Sequence, residues 1–219
     1  CIRDRYQSLL NIHYRYLYPK TDKYRPSAAR NLGIEHAACE RIIFIDGDVI
    51  PSTHLIKEHS KHNDIHTIVV GVRYRIKETE IDALNEALCS QKISYKLIMS
   101  KTYIDDQRII DPKYNRRFLS LSVNHFDTID YATNIGNACL CPSMNISYSR
   151  RFLFLLNGFD ERYDGFLHGE DHDLAIRAFK KGARCKTLPE VPVYHLDHKP
   201  RAERNDKLMH SLLAAARSS

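Results

Sequence analysis

No apolar run in this 219-residue chain approaches the roughly 18–20 residues a helix needs to cross a bilayer. The six cysteines (1, 39, 89, 139, 141 and 185) form no Cys-x-x-Cys pair, which excludes a zinc ribbon. Cys139 and Cys141, two apart in an extended segment, would point the same way yet sit too far apart to bridge. Reduced thiols in a cytoplasmic protein are therefore expected. No internal repeat or low-complexity tract occurs, and no basic stripe: the densest pairs are Arg116-Arg117, Arg150-Arg151 and Lys180-Lys181. That scatter reads as a solvated surface and argues against a nucleic-acid partner. The formal charge of +6 instead suits anionic partners such as nucleotide sugars, acidic glycans or anionic lipid, and is compatible with peripheral association at the inner face of a membrane. The chain opens at Cys1 with neither an initiator Met nor a signal-like segment, so a fragment of a longer protein is expected.

What is present suits one soluble domain over 1–219, with 43% hydrophobic and 27% charged residues. Residues 3–11 read as the end of a helix and Ile12–Leu17 as an alternating strand. Pro26-Ser27 opens a helix to about Ala38, with proline at a permitted first-turn position. A strand over 42–46 follows, then a helix from Pro51 to about His62 and a strand over Thr67–Tyr74. Ile81–Ser100 reads as helical within a weakly patterned stretch, 75–130, that either shapes a binding site or is a solvent-exposed excursion. Cys139–Tyr148 reads as extended, and Arg150–Leu156 as a helix stopped by Asn157-Gly158. Helix and strand in alternation predict an α/β fold with a mostly parallel sheet flanked by helices. Asn145-Ile146-Ser147 fits a glycosylation sequon but carries little weight without a sign of secretion.

The run Ile42-Ile-Phe-Ile-Asp46-Gly47-Asp48 ends a buried strand abruptly in two carboxylates. Negative charge concentrated there costs stability unless a cation or ligand neutralises it, and hard oxygen ligands suit a divalent metal holding a diphosphate. An ordinary strand followed by an Asp-Gly turn accounts for the same residues.

A second concentration of chemistry runs from Asn157 to Leu174, with His168-Gly169-Glu170-Asp171-His172-Asp173 at its centre. From Asp171 the pattern turns helical, with Leu174, Ala175, Ala178 and Phe179 on one face and Gly182 as the stop. Glu170 and Asp171 thus stand at a helix N-terminus, where the dipole and free amides stabilise carboxylates. Capping explains one or two of these acids. Gly169 before them and Asp173 after exceed what capping requires, and clustered carboxylates can push one pKa toward a general base's range. A third polar cluster, Val191-Pro-Val-Tyr-His195-Leu-Asp-His198, ends an extended run. In a chain of 12 histidines, a lone imidazole is more often a surface group than a ligand.

In this order the clusters resemble the inverting glycosyltransferases of family 2. Arg30-Asn31-Leu32-Gly33-Ile34 followed by Asp46-Gly47-Asp48 is similar to that family's Ala-Arg-Asn-x-Gly and Asp-x-Asp block. Asn157-Gly-Phe-Asp-Glu through Gly169-Glu170-Asp171-x-Asp173-Leu174-x-x-Arg177 resembles its Gly-Gly-Phe-Asp-Glu and Gly-Trp-Gly-Gly-Glu-Asp block. The opening Gln7-Ser-Leu-Leu-Asn-Ile and the closing Val193-Tyr-His195…Lys199-Pro200 resemble the hexosaminyltransferase domains of bacterial chondroitin and hyaluronan polymerases. The resemblance implies a GT-A (Rossmann-like) fold lacking its first strand or strands. It divides the chain into a donor-binding half (1–74), an acceptor-binding half (75–200) and a helical tail (201–219). It further implies a nucleotide-diphospho-sugar donor, with a UDP-sugar favoured, a glycan or glycolipid acceptor, and Mn²⁺ or Mg²⁺. Carried over by residue, Asp48 and His195 ligate the metal, with Asp46 near metal and ribose. Arg25, Arg30 and Asn145 contact the donor. Asp171 serves as base beside Glu170, and Phe166, His168 and Gly169 face the acceptor.

Such chemistry fits the bare residues. Inverting transfer needs a base for the acceptor hydroxyl and a cation for the departing diphosphate. Phe166-Leu167-His168 stands where the family has Trp-Gly, and the chain contains no tryptophan, which leaves the acceptor open. The rival expectation is an inactive GT-A-like module that binds a glycan or anchors a synthase complex.

Overall fold

A computed structural model describes residues 24–76, 81–83, 86, 102–103, 141, 143–165, 169–196 and 206–218. In chain order these form α1 (Pro26–His36), β1 (Arg41–Ile45), β2 (Val49–Pro51), α2 (Leu55–Ser60), β3 (Thr67–Ile76), β4 (Thr102–Tyr103) and β5 (Asn145–Ser149). There follow α3 (Arg150–Leu155), a 3₁₀ turn (Glu161–Tyr163), α4 (Glu170–Lys180), β6 (Arg184–Leu196) and α5 (Asp206–Ser218). The helix and strand expected over 3–17 lie outside the described residues, as does most of the helix expected over Ile81–Ser100. The helix expected from Pro51 begins only at Leu55; Pro51 itself ends β2, the last strand of the sheet, where a missing N–H costs no ladder bond.

The strands form one sheet in the order β1-β5-β3-β6-β2, with β4 on β3. The α/β class holds, but the expected mostly parallel pairing is corrected to a mixed sheet among the described residues. Only β3 and β6 pair in parallel; β1–β5, β5–β3, β6–β2 and β3–β4 are antiparallel. The alternation of helices and strands could not reveal this, because β5 is inserted between β1 and β3 from far along the chain. Strands of the spans 1–74 and 75–200 thereby interleave in a single sheet.

β1, β3 and β6 run in the same direction, so Asp46 and His195 both stand at the carboxyl ends of parallel-running strands. The turn Asp46–Asp48 joins the first and last strands of the path. Four strand spacings of about 4.8 Å would separate these by about 19 Å in a flat sheet. The link from Ile45 to Val49 spans at most about 14 Å. The sheet must therefore curl toward this edge, and β6 carries an irregularity there: it runs from Leu188 to Val193 while β3 runs only from Gly71 to Arg73.

Strand alternation sorts the two faces. Phe44, Ile68, Val70, Ile146 and Tyr148 turn to the main core, where they meet α1, α3, α4 and α5 through Ile34, Phe152, Leu153, Leu174, Ala178 and Leu213. The opposite face holds Leu55 of α2 with Met144 and Val193. On that face β5 presents Asn145 and Ser147, and fully buried His59 of α2 bridges them, 3.1 Å to Asn145 Oδ1 and 2.8 Å to Ser147 Oγ. The Asn145 amide donates to the carbonyls of Val191 (2.8 Å) and Val72 (3.2 Å), so its Oδ1 is the acceptor. His59 Nε2 must then carry the proton while Nδ1 accepts from Ser147. Burial pushes the His59 pKa down, as a neutral interior imidazole requires. Gly71 makes room for this strap: a Cβ there would lie 2.1 Å from Asn145 Nδ2. The sequon is thus sealed in the sheet, with Asn145 2% and Ser147 0% exposed.

Cys39, Cys141 and Cys185 are free thiols. No helix among the described residues is long and apolar enough to cross a membrane.

Candidate active site

The site is assembled by α1. Its N-terminus has no cap of its own, since Arg25 precedes Pro26. Asp164 supplies one from the distant second motif, accepting from Ser27 N (2.8 Å) and Ala28 N (3.3 Å) while it pairs with Arg25 Nε (3.2 Å). Asn31 accepts from Phe159 N (2.7 Å) and donates to Phe159 O (2.9 Å), reading the loop as a neighbouring strand would. Arg177 pairs with Asp173 (2.7 Å) and donates to the carbonyls of Leu156 and Gly158, fastening the same loop to α4. The loop between the two motifs is therefore held from both sides.

α4 begins at Gly169, whose φ of 122° disfavours any side chain; a Cβ would also meet the Tyr163 ring at 2.8 Å and Met209 at 2.9 Å. This glycine sets Glu170 and Asp171 at the helix N-terminus. Glu170 is 5% exposed and its Oε1 accepts from Arg30 at 2.6 Å, while Oε2 is buried without a hydrogen-bond partner among the described residues. Burial and the adjacent Asp171 charge raise its pKa to about 7, against the opposing pull of Arg30. Arg30 also reaches Asp46 Oδ1 at 3.4 Å. Asp171 is partly exposed, its two oxygens steadied by the backbone amides of His172 (2.8 Å) and Ser143 (3.2 Å).

At the curled edge, β2 pairs with the end of β6 with Val49 opposite His195, and Leu196 N donates to Asp48 O at 2.9 Å. This brings Asp48 Oδ1 to 3.5 Å from His195 Nε2. Two donors each about 2.1 Å from one ion stand roughly 3.0–3.4 Å apart for ligand angles between 90° and tetrahedral. The pair fits a shared divalent cation. Among the described residues no cluster of three or more His, Cys, Asp or Glu is gathered for a metal. A cation here would complete its shell with ligand oxygens and water.

Residues 6–204 match the family described as glycosyltransferase like family 2. The chain belongs to that family. Its curated relatives include chondroitin synthase of Escherichia coli, 22% identical over 214 residues, and chondroitin synthase of Pasteurella multocida (strain Pm70), 24% identical over 220. These matches cover 92% and 94% of the chain but only 29% and 21% of the relatives' own lengths. Among solved structures, S. aureus TarS 1–349 in complex with UDP-GlcNAc superposes with a TM-score of 0.61, at 14% identity over 98% of this chain and 52% of that one. GalNAc-T7 with UDP, GalNAc and Mn²⁺ gives 0.56, at 13% identity over 93% of this chain and 36% of that one. At such identities the likeness carries the fold, GT-A.

The expected site residues fall into three groups within this glycosyltransferase-family domain. Arg30, Asp46, Glu170 and Asp171 are drawn together, as are Asp48 and His195. Arg25 is spent on Asp164 and Glu161 (3.1 Å), and Asn145 has every side-chain hydrogen-bonding group engaged inside the sheet. Gly169 sets the start of α4, whereas Phe166 and His168 lie outside the described residues. Three contributors escaped the sequence reading: His59, Asn31 and Asp164. Only the Asn-Gly at 157–158 hinted at Asn31, because Gly158 (φ 63°) would push a Cβ to 2.5 Å from its Oδ1.

Proposed function

We propose that this domain transfers a sugar, with inversion, from a nucleotide-diphospho-sugar to a hydroxyl of a glycan or glycolipid acceptor. A UDP-hexose or UDP-N-acetylhexosamine is the favoured donor. The observation that carries the reading is the convergence of the two motifs: Asp46 and Asp48 at the tip of β1, Glu170 and Asp171 at the start of α4, and Arg30 bonded to both sides.

In this reading Asp48 and His195 would hold Mn²⁺ or Mg²⁺, which would neutralise the departing diphosphate. Asp46, two residues before Asp48 and 3.4 Å from Arg30, would stand on the donor side. Asp171 is the base: amides at both oxygens fix its direction, and its partial exposure lets an acceptor hydroxyl reach it. As the hydroxyl oxygen forms its bond to the anomeric carbon, its proton passes to an Asp171 oxygen. Glu170, buried beside it, sets the local field rather than meeting the acceptor. Phe166 and His168, directly before Gly169, are placed by sequence to contact the acceptor.

A screen of UDP- and GDP-sugars with Mn²⁺, read as released nucleotide, tests the reading on the full-length protein. Release that depends on Mn²⁺ and on one sugar supports it. Absence of donor binding and release across the panel overturns it in favour of a glycan-binding module.

A further inference from the structure

We propose that Arg30 is a positioning residue for the acid pair, its guanidinium tying Glu170 at the start of α4 to Asp46 at the tip of β1. This rests on the glycosyltransferase reading of the site and concerns what makes its two halves act together. Arg30 reaches Glu170 Oε1 at 2.6 Å and Asp46 Oδ1 at 3.4 Å, with its side chain only 18% exposed. Its ring-facing side lies over Phe159, 5.3 Å from the centroid, so the planar group is held on three sides. With one terminal nitrogen on Glu170, the other on Asp46 and a face on an aromatic ring, the guanidinium acts as a clasp between carboxylates.

The need for such a clasp follows from burial. Glu170 is 5% exposed beside partly exposed Asp171, and both its burial and that neighbouring charge oppose its ionisation. Arg30 is the cation bonded to Glu170. The other groups around this pocket are Tyr24 before α1, Asp46 from β1 and Asp171 on α4 itself, and the Asp171 charge opposes ionisation of Glu170. On α5, Arg217 acts on His172, not on Glu170. Arg30 thus draws Glu170 toward its charged form beside Asp171 and ties the tip of β1 to the start of α4.

The test uses the full chain and two readouts. Glu170 is titrated by carboxyl NMR, with Glu170→Gln assigning the signal, in the wild type and in Arg30→Met and Arg30→Lys. The pH dependence of UDP-GlcNAc hydrolysis with Mn²⁺ is measured on the same proteins. Arg30→Met should raise the Glu170 titration point by about one to two units, the usual effect of losing an adjacent guanidinium, and Arg30→Lys should restore most of it. The acidic limb of kcat should move the same way, with KM for UDP-GlcNAc changed less than kcat. An unmoved titration point overturns the proposal, as does a rise in KM alone, which would make Arg30 a direct donor contact. If the wild type hydrolyses no donor, the transferase reading fails while the titration still decides the clasp. Should Arg30→Met not fold, Arg30→Gln and Arg30→Lys carry the same comparison.

Discussion

Replacing Glu170 by glutamine separates the charge of this buried group from its shape. Glutamine keeps the oxygen that accepts from Arg30 and puts an amide nitrogen where Oε2 has no partner among the described residues. The folded protein holds the Glu170 proton up to about pH 7, whereas the unfolded chain releases it near the ordinary glutamate value of 4.5. Between those values the folded state binds the extra proton, so this group's contribution to stability is present below the lower value and is lost as pH rises through the upper one. Integrating the two titrations from pH 5 to pH 8 gives a loss of about 2–3 kcal/mol at about 1.36 kcal/mol per unit. Glu170→Gln abolishes that loss. The amide's unmet hydrogen bond costs the same at both values and cancels in the difference, as do titrating groups remote from this pocket. Urea unfolding of both proteins at pH 5 and pH 8, followed by far-UV circular dichroism, should show the variant gaining about 2–3 kcal/mol on the wild type across the interval. Stability curves that stay parallel within about 0.5 kcal/mol would mean that burial does not raise this carboxyl, and the charge account of the pocket would be wrong.

Asp48→Ala should abolish Mn²⁺-dependent binding of UDP, read by calorimetry, while leaving the thermal midpoint within a few degrees, because Asp48 stands in a turn at the sheet edge. Asp171→Asn should lower turnover by roughly 10²–10⁴-fold with donor affinity little changed, the signature of a lost base; equal loss of donor binding would make it a donor contact, and retained turnover would return the role to Glu170. Gly71→Ala should destabilise the domain by about 2–4 kcal/mol, since its Cβ would lie 2.1 Å from Asn145 Nδ2 and displace an amide with no other place to bond. A change below about 0.5 kcal/mol in chemical denaturation would show that the strap can rearrange.

Charge and local pattern made part of this site legible in the sequence. An apolar run ending in Asp46-Gly47-Asp48 can hardly be anything but a strand meeting solvent, and acids after Gly169 mark a helix start on simple dipole grounds. What the sequence could not supply was direction and partnership. Pairing in the sheet depends on β5 arriving from far along the chain, a loop closure no periodicity records. Asn145 illustrates the cost: its place by motif suggested a donor contact, yet strand alternation turns it to the α2 face, where His59 waits. His59 in turn offers no signal, because one buried imidazole among 12 histidines looks like any other until its partners are known.

Arg30 is the most instructive case. From its motif a positive side chain beside an Asp-x-Asp turn reads naturally as a phosphate contact. The fold instead surrounds it with carboxylates from two elements 16 and 140 residues away in sequence. A single buried acid beside Asp171 would be protonated and of little use as a field; a bare guanidinium at the β1 tip would compete with a metal for the diphosphate. Each group resolves the other's difficulty, which is why neither can be interpreted alone. The same reciprocity holds where Asp164 caps α1 while Arg25 shields Asp164. The second motif thus serves as part of the first motif's local structure, since its Asp164 caps the helix that carries Arg30.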